Sequence, residues 1–129
     1  MGVRMIQLFK VLYPMLLSCF VIGCNDLPTV DLLVGTYAGK TQYMTEELVL
    51  REDGTYQQRF ESLVGTVTTN SGIWRIHHRV IEMDGWLGAF DTKKLEPTRE
   101  PKRYQIGHCK AARGILHWNE GAYTMRKIK

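Results

Sequence analysis

Beyond residue 31 the chain alternates between apolar and polar positions in short runs, the two-residue period of strands with one buried face. Residues 32–37, 46–51, 55–63, 66–76, 80–83, 86–90, 104–109, 115–118 and 122–128 read as strands on this pattern. They are rich in β-branched and aromatic residues and are bounded by Gly, Asn, Asp or Pro. No window of about eleven residues carries an apolar stripe at helical spacing. Many short strands with turn signals roughly every 8–12 residues predict an all-β fold, an antiparallel sandwich or barrel.

Two turns set testable registers. At Glu52-Asp53-Gly54 a two-residue turn would put Leu50 opposite Gln57, whereas a three-residue loop puts Leu50 opposite Tyr56, with Phe60 on the same face. A slip of one residue sends every side chain to the wrong face, so the apolar pattern selects the three-residue loop, with Gly54 left-handed. Asn119-Glu120-Gly121 offers the same loop. It would set His117 opposite Tyr123 and Ile115 opposite Met125, with Leu116 and Trp118 on the other face. Residues 93–103 break the rhythm with five basic residues, two acidic ones and two prolines. Proline removes ladder donors, so this stretch reads as a long loop or a ragged edge strand kept soluble by its charge.

The first 23 residues follow a different pattern. Arg4 and Lys10 precede an apolar stretch of twelve residues, 11–22, and then Gly23. That is too short for a membrane span, which needs about 20 residues, and it matches an export signal. A generic secretory cut would want small residues at both −3 and −1, and none stands out near Gly23. The signal ends on Val21-Ile22-Gly23-Cys24, which resembles the lipobox of bacterial lipoproteins. The resemblance implies cleavage between Gly23 and Cys24, lipid on Cys24, and a protein held on a membrane. Asn25 stands where that family's inner-membrane retention signal has aspartate, which leans toward the outer membrane where there are two. The chain thus divides into signal peptide 1–23, lipidated N-terminus and tether 24–31, and a single domain 32–129. The tether proper, residues 25–31, has seven residues and spans at most about 25 Å.

Cleavage changes the charge. The whole chain carries a net +4, but the mature 106 residues carry 15 basic and 13 acidic side chains, a net +2. Nucleic-acid binding gains nothing from that balance. Cleavage also removes Cys19, and lipid would block Cys24, so Cys109 has no intrachain partner and reads as a small buried hydrophobe.

Candidate chemistry is sparse. No nucleophile elbow, phosphate loop or zinc-protease helix is present, which points away from an enzyme and from a bound cofactor. The carboxylate pairs Glu46-Glu47 and Glu52-Asp53 read as solvated turn residues. His77 and His78 read as a turn. If Lys110 pairs with Ile115, then His108 and His117 face each other as the weak candidates for a metal site, with no third ligand in view. The aromatic residues Tyr37, Tyr56, Phe60, Trp74, Trp86, Tyr104, Trp118 and Tyr123 read as core. Such an interior can also line a small apolar pocket with polar tips.

Gly35-Thr36-Tyr37, Leu48-Val49-Leu50, Asp53-Gly54-Thr55-Tyr56, Ser71-Gly72-Ile73-Trp74 and Ile81-Glu82-Met83 together resemble small bacterial lipoproteins with a lipocalin-like barrel. The resemblance covers about residues 32–83. It implies an up-and-down antiparallel barrel of about 8–9 short strands, and a basic residue of the last strand, Arg126, over the ring of Tyr37. The leading functional expectation is a non-enzymatic, membrane-anchored envelope lipoprotein binding a partner protein or a small apolar ligand. An inhibitor or immunity protein against a toxin or wall-degrading enzyme is the alternative, and an envelope metal carrier comes third.

Overall fold

The computed structural model describes residues 28–129, so Gly23 and Cys24, the expected cleavage and lipidation positions, lie outside the described residues. The first described element is one helical turn, α1 (Val30–Leu33), where the sequence pattern predicts strand from residue 32. Ten strands follow: β1 (Gly35–Lys40), β2 (Met44–Leu50), β3 (Thr55–Ser62), β4 (Val67–His77), β5 (Val80–Asp84), β6 (Leu87–Asp91), β7 (Glu96–Arg103), β8 (Ile106–Ala112), β9 (Ile115–Trp118) and β10 (Tyr123–Lys127). Eight of them close an antiparallel barrel in the order β1-β10-β9-β8-β5-β4-β3-β2, while β6 and β7 form a separate two-stranded hairpin. With that hairpin set aside the barrel is up-and-down, each strand lying beside the next in sequence.

Inward positions follow the alternation. Leu48, Leu50, Tyr56, Phe60, Ile81, Met83, Leu116 and Met125 are all buried in one core. The loop at Glu52-Asp53-Gly54 takes the predicted form: Leu50 pairs with Tyr56, and Gly54 has φ +84, a conformation costly for any other residue. Asp53 braces the loop by accepting from the N–H of Thr55 at 3.0 Å and from its hydroxyl at 2.6 Å. Between β4 and β5 the turn is the pair His78-Arg79, both left-handed.

The second predicted register is corrected. Tyr123 pairs with Trp118 and Met125 with Leu116, because the 3-10 turn Asn119–Gly121 is followed by Ala122 in helical conformation, one residue more than the expected loop. That extra residue turns Leu116 and Trp118 inward with Tyr123 and Met125, and all four are buried. Arg126 is corrected too. It pairs with Ala38, outside the barrel, while Lys127 pairs with Tyr37. Lys127 is the residue that reaches over the start of β1, its Nζ donating to the Leu32 carbonyl at 3.1 Å.

Connections of the barrel fall at two ends. At the base lie the turns 52–54, 78–79 and 113–114 together with α1, whose Leu33 is buried. The Tyr37 hydroxyl donates to the Leu33 carbonyl at 2.7 Å and fixes the helical turn over that end. At the mouth lie residues 41–43, 63–66 and 119–122 and the β6–β7 hairpin. Residues 93–103, expected as loop or ragged edge, supply β7, an edge strand whose ladder is interrupted by a bulge opposite Gly88 and Phe90. Asp91 shapes the hairpin loop by accepting from the N–H groups of Lys93 and Lys94 at 2.8 and 3.0 Å and from Lys102 Nζ at 3.1 Å. Those bonds, the Lys94 N–H foremost, hold its carboxyl down at about 2.

Candidate functional site

The interior is plugged at the mouth by β6. All five residues of β6 are buried on both faces, and the strand is gripped by side chains that point into the barrel. Gln58 accepts from the Leu87 N–H at 3.2 Å and donates to the Leu87 carbonyl at 2.7 Å. Asn70 donates to Gln58 and to the Gly85 carbonyl, each at 2.8 Å. The Tyr56 hydroxyl donates to the Asp84 carbonyl. These bonds give the incoming backbone the partners a sheet would have supplied, which is why a strand can be buried here without a ladder on both edges.

Glu46 stands at the centre of this network. It shares the inward face of β2 with Leu48 and Leu50 and is 2 % exposed, which corrects the expectation of a solvated turn carboxylate. Tyr123 donates to one carboxyl oxygen at 2.9 Å and Gln58 to the other at 3.1 Å. Burial pushes Glu46 up to about 7, and the two hydrogen bonds offset only part of that rise. Tyr123 is raised in turn, by burial first and by Glu46 second. Cys109 is buried as expected, and burial raises its thiol far above the reactive range. The signal that could have found this network was present: Glu46 and Gln58 are polar residues on the apolar phase of their strands.

Beside the plug, between the hairpin and β8–β9, an open cleft of about 240 Å³ remains. Its walls are aromatic: Trp86, Phe90, Tyr104, Trp118 and Tyr123. Trp86 and Trp118 stack with ring centroids 5.4 Å apart and planes 13° from parallel. Trp86 lies flat against β8 because residue 107 is glycine; a Cβ there would stand 2.5 Å from its Cγ. The tyrosine hydroxyls are engaged, Tyr123 with Glu46 and Tyr104 with the Phe90 carbonyl at 3.2 Å. The indole N–H of Trp118 is buried and meets no acceptor among the described residues.

Neither comparison with known families nor with known folds identifies this assembly. No family model, no curated protein and no solved structure matches the chain.

The weak metal candidates are not brought face to face. The turn at Arg113-Gly114 pairs Ala112 with Ile115 and Lys110 with His117, while His108 pairs with Glu82 on β5. His117 therefore has an ammonium opposite it. His108 Nε2 lies 3.8 Å from Glu82, which is shared with Arg75. No group of three or more metal-ligating side chains forms among the described residues.

Proposed function

We propose that this chain is a bacterial envelope lipoprotein, freed of residues 1–23 and anchored through lipid on Cys24, whose barrel is a non-enzymatic binding module working through its mouth. The observation that supports this reading is the polarity of the barrel. The described chain enters at the base, where Pro28, Leu32, Leu33 and the β8–β9 turn line one groove, and the aromatic cleft opens at the opposite end. Cys24 precedes Pro28 by four residues, roughly 14 Å of chain at full stretch. An anchor there holds the base near the lipid and turns the cleft outward. Two or more acyl chains make such attachment stable, where a single chain does not. A plugged interior also directs binding to the mouth rather than to a cavity within the strands. Retention in the outer membrane, where there are two, goes with Asn25.

Fractionation of cells producing the wild type and Cys24→Ser tests the anchor. The wild type is expected with membranes at the mature mass and the variant in the soluble fraction; a variant that stays with membranes and is still cut at the same place overturns the reading.

A protein target, as an inhibitor or immunity factor would have, is favoured by one feature of the same end. Leu63 and Val64, at the tip between β3 and β4, are 80 % and 90 % exposed. Capture of one enzyme by the wild type but not by Leu63→Ser/Val64→Ser would establish that second reading.

A further inference from the structure

Cations are spent differently up the barrel and around its base. Up the wall and at the mouth they are paired: Arg59 with Glu61, Arg75 with Glu82 and Asp84, Lys102 with Asp91. Around the base, Arg79, Lys110, Arg113, Arg126, Lys127 and Lys129 enter no ion pair among the described residues. Backbone pairing gathers them on one side. Cys109 pairs with Ile81, which sets Lys110 beside the β4–β5 turn and Arg79. The Lys127 N–H donates to the Gly114 carbonyl at 2.8 Å, which brings the end of β10 onto the β8–β9 turn and Arg113. Three apolar side chains are left outside among these charges: Val30, Leu32 and Ile128 are 42 %, 64 % and 52 % exposed. The acids of this end lie mainly elsewhere. Asp31 is on α1, but Glu52 and Asp53 occupy the β2–β3 loop, across the barrel from the β8–β9 turn. The base is therefore basic and partly apolar at three corners and acidic at the fourth.

We propose that the basic side of the base docks on the anionic phospholipid surface of the membrane that holds the Cys24 lipid, so that the barrel leans with its β2–β3 corner raised. The proposal deepens the anchored reading and rests on it. Clusters of about 4–8 lysines and arginines beside a membrane attract anionic headgroups. Apolar side chains set among such cations enter the headgroup boundary. The tether of residues 25–31 is short enough to keep these charges at the surface, where a free domain would diffuse away. Docking then fixes what the tether leaves open, the tilt of the barrel and the direction in which its mouth faces.

The test uses the full chain, made in cells, purified and placed in vesicles of phosphatidylcholine alone or mixed equally with phosphatidylglycerol. A fluorophore is attached at Ala112→Cys by the basic β8–β9 corner, at Glu52→Cys on the acidic corner, or at Val64→Cys at the mouth; all three positions are exposed. A nitroxide on the lipid headgroup quenches whatever lies at the surface. Wild-type protein is the blank, because Cys109 is buried. The Ala112→Cys label is expected to be quenched most and the Val64→Cys label least. The excess at Ala112→Cys should need phosphatidylglycerol and low salt, since the reach of a charge falls from about 10 Å at 0.1 M to about 3 Å at 1 M. Arg79→Asn with Arg113→Asn removes two cations at left-handed positions that asparagine tolerates. That double variant should shift the balance of docked and free barrel by roughly fivefold for each cation removed. The proposal is overturned if the Ala112→Cys label is quenched alike in both vesicles, if either other label is quenched as strongly, or if the double variant changes nothing. The anchor is read separately. Flotation with pure phosphatidylcholine vesicles at the mature mass, with no label taken up by the wild type, supports it. A wild type that takes the label at a free Cys24 overturns the anchor, whatever the basic side of the base does.

Discussion

At the base, Leu33 drops from a helical turn into the end of the barrel, and a single hydroxyl bond from Tyr37 and the lysine chain of Lys127 hold that turn in place. At the mouth, a whole hairpin is drawn in and held by amides and carboxyl: Gln58 on both polar groups of Leu87, Asn70 on Gly85, Glu46 behind Gln58. The base is closed mainly by apolar burial, which is tolerant of geometry and indifferent to pH. The mouth is closed by a buried polar network, which specifies one arrangement and fails as a unit when a member is lost. The difference teaches why the cleft is at the mouth. A plug positioned by directed bonds fits the barrel end without filling it, and the residual space is walled by the rings that flank it.

The largest effect should come from removing the clamp. Gln58→Leu leaves the Leu87 N–H, its carbonyl, Glu46 and Asn70 short of partners, and should cost roughly 3–5 kcal/mol in urea unfolding. Hydrogen exchange at the Leu87 amide should accelerate with it. If exchange there is unchanged, the network does not hold the plug.

Glu46 makes the mouth pH-sensitive. Its folded value of about 7 lies above the ordinary 4.5, so between these the folded state holds a proton that the unfolded chain has released. Stability from this group is complete below about pH 4.5, falls as pH rises toward 7, and is then lost, by up to about 3 kcal/mol. Urea unfolding across pH 4.5–7.5 should show that slope in the wild type and lose it in Glu46→Gln. Asp91, held low, acts in the opposite sense and in a separate window, its contribution fading only as pH falls below about 4 toward 2.

Smaller effects belong to the base. Leu33→Ala should cost about 2–3 kcal/mol by leaving a void, with the Leu87 amide as protected as before, relative to global stability. A rise in Leu87 exchange beyond the global loss would show the two ends to be coupled and would erase the distinction. Tyr37→Phe removes one bond to the Leu33 carbonyl and should cost about 1 kcal/mol, seen as a small shift in the urea midpoint at constant slope.

Local alternation carried the strands, the Glu52-Asp53-Gly54 loop and the inward set from Leu48 to Phe60, because a strand's two faces are written residue by residue. The same logic misjudged the β9–β10 turn, where one helical residue, Ala122, reversed the faces of Leu116 and Trp118. Turn length was a matter of backbone conformation that Asn119-Glu120-Gly121 left open. β7 escaped for a related reason. Prolines and charge make residues 93–103 poor in intrinsic strand preference, and only pairing with β6 holds them extended.

The sequence by itself determined an all-β chain with a period-two core and the burial of Cys109, and residues 1–24 resemble a lipoprotein signal. Those properties depend on composition and on neighbours a few residues apart. Tertiary structure alone decided that β5 pairs with β8 across a 21-residue excursion, that β6 enters the barrel, and that Glu46, Gln58 and Asn70 meet around its backbone. It also decided that the indole N–H of Trp118 meets no acceptor among the described residues, beside an aromatic cleft. Each of these is a long-range coincidence of side chains from different strands, set by closure of the barrel, and no local pattern encodes which inward polar residue will face which backbone.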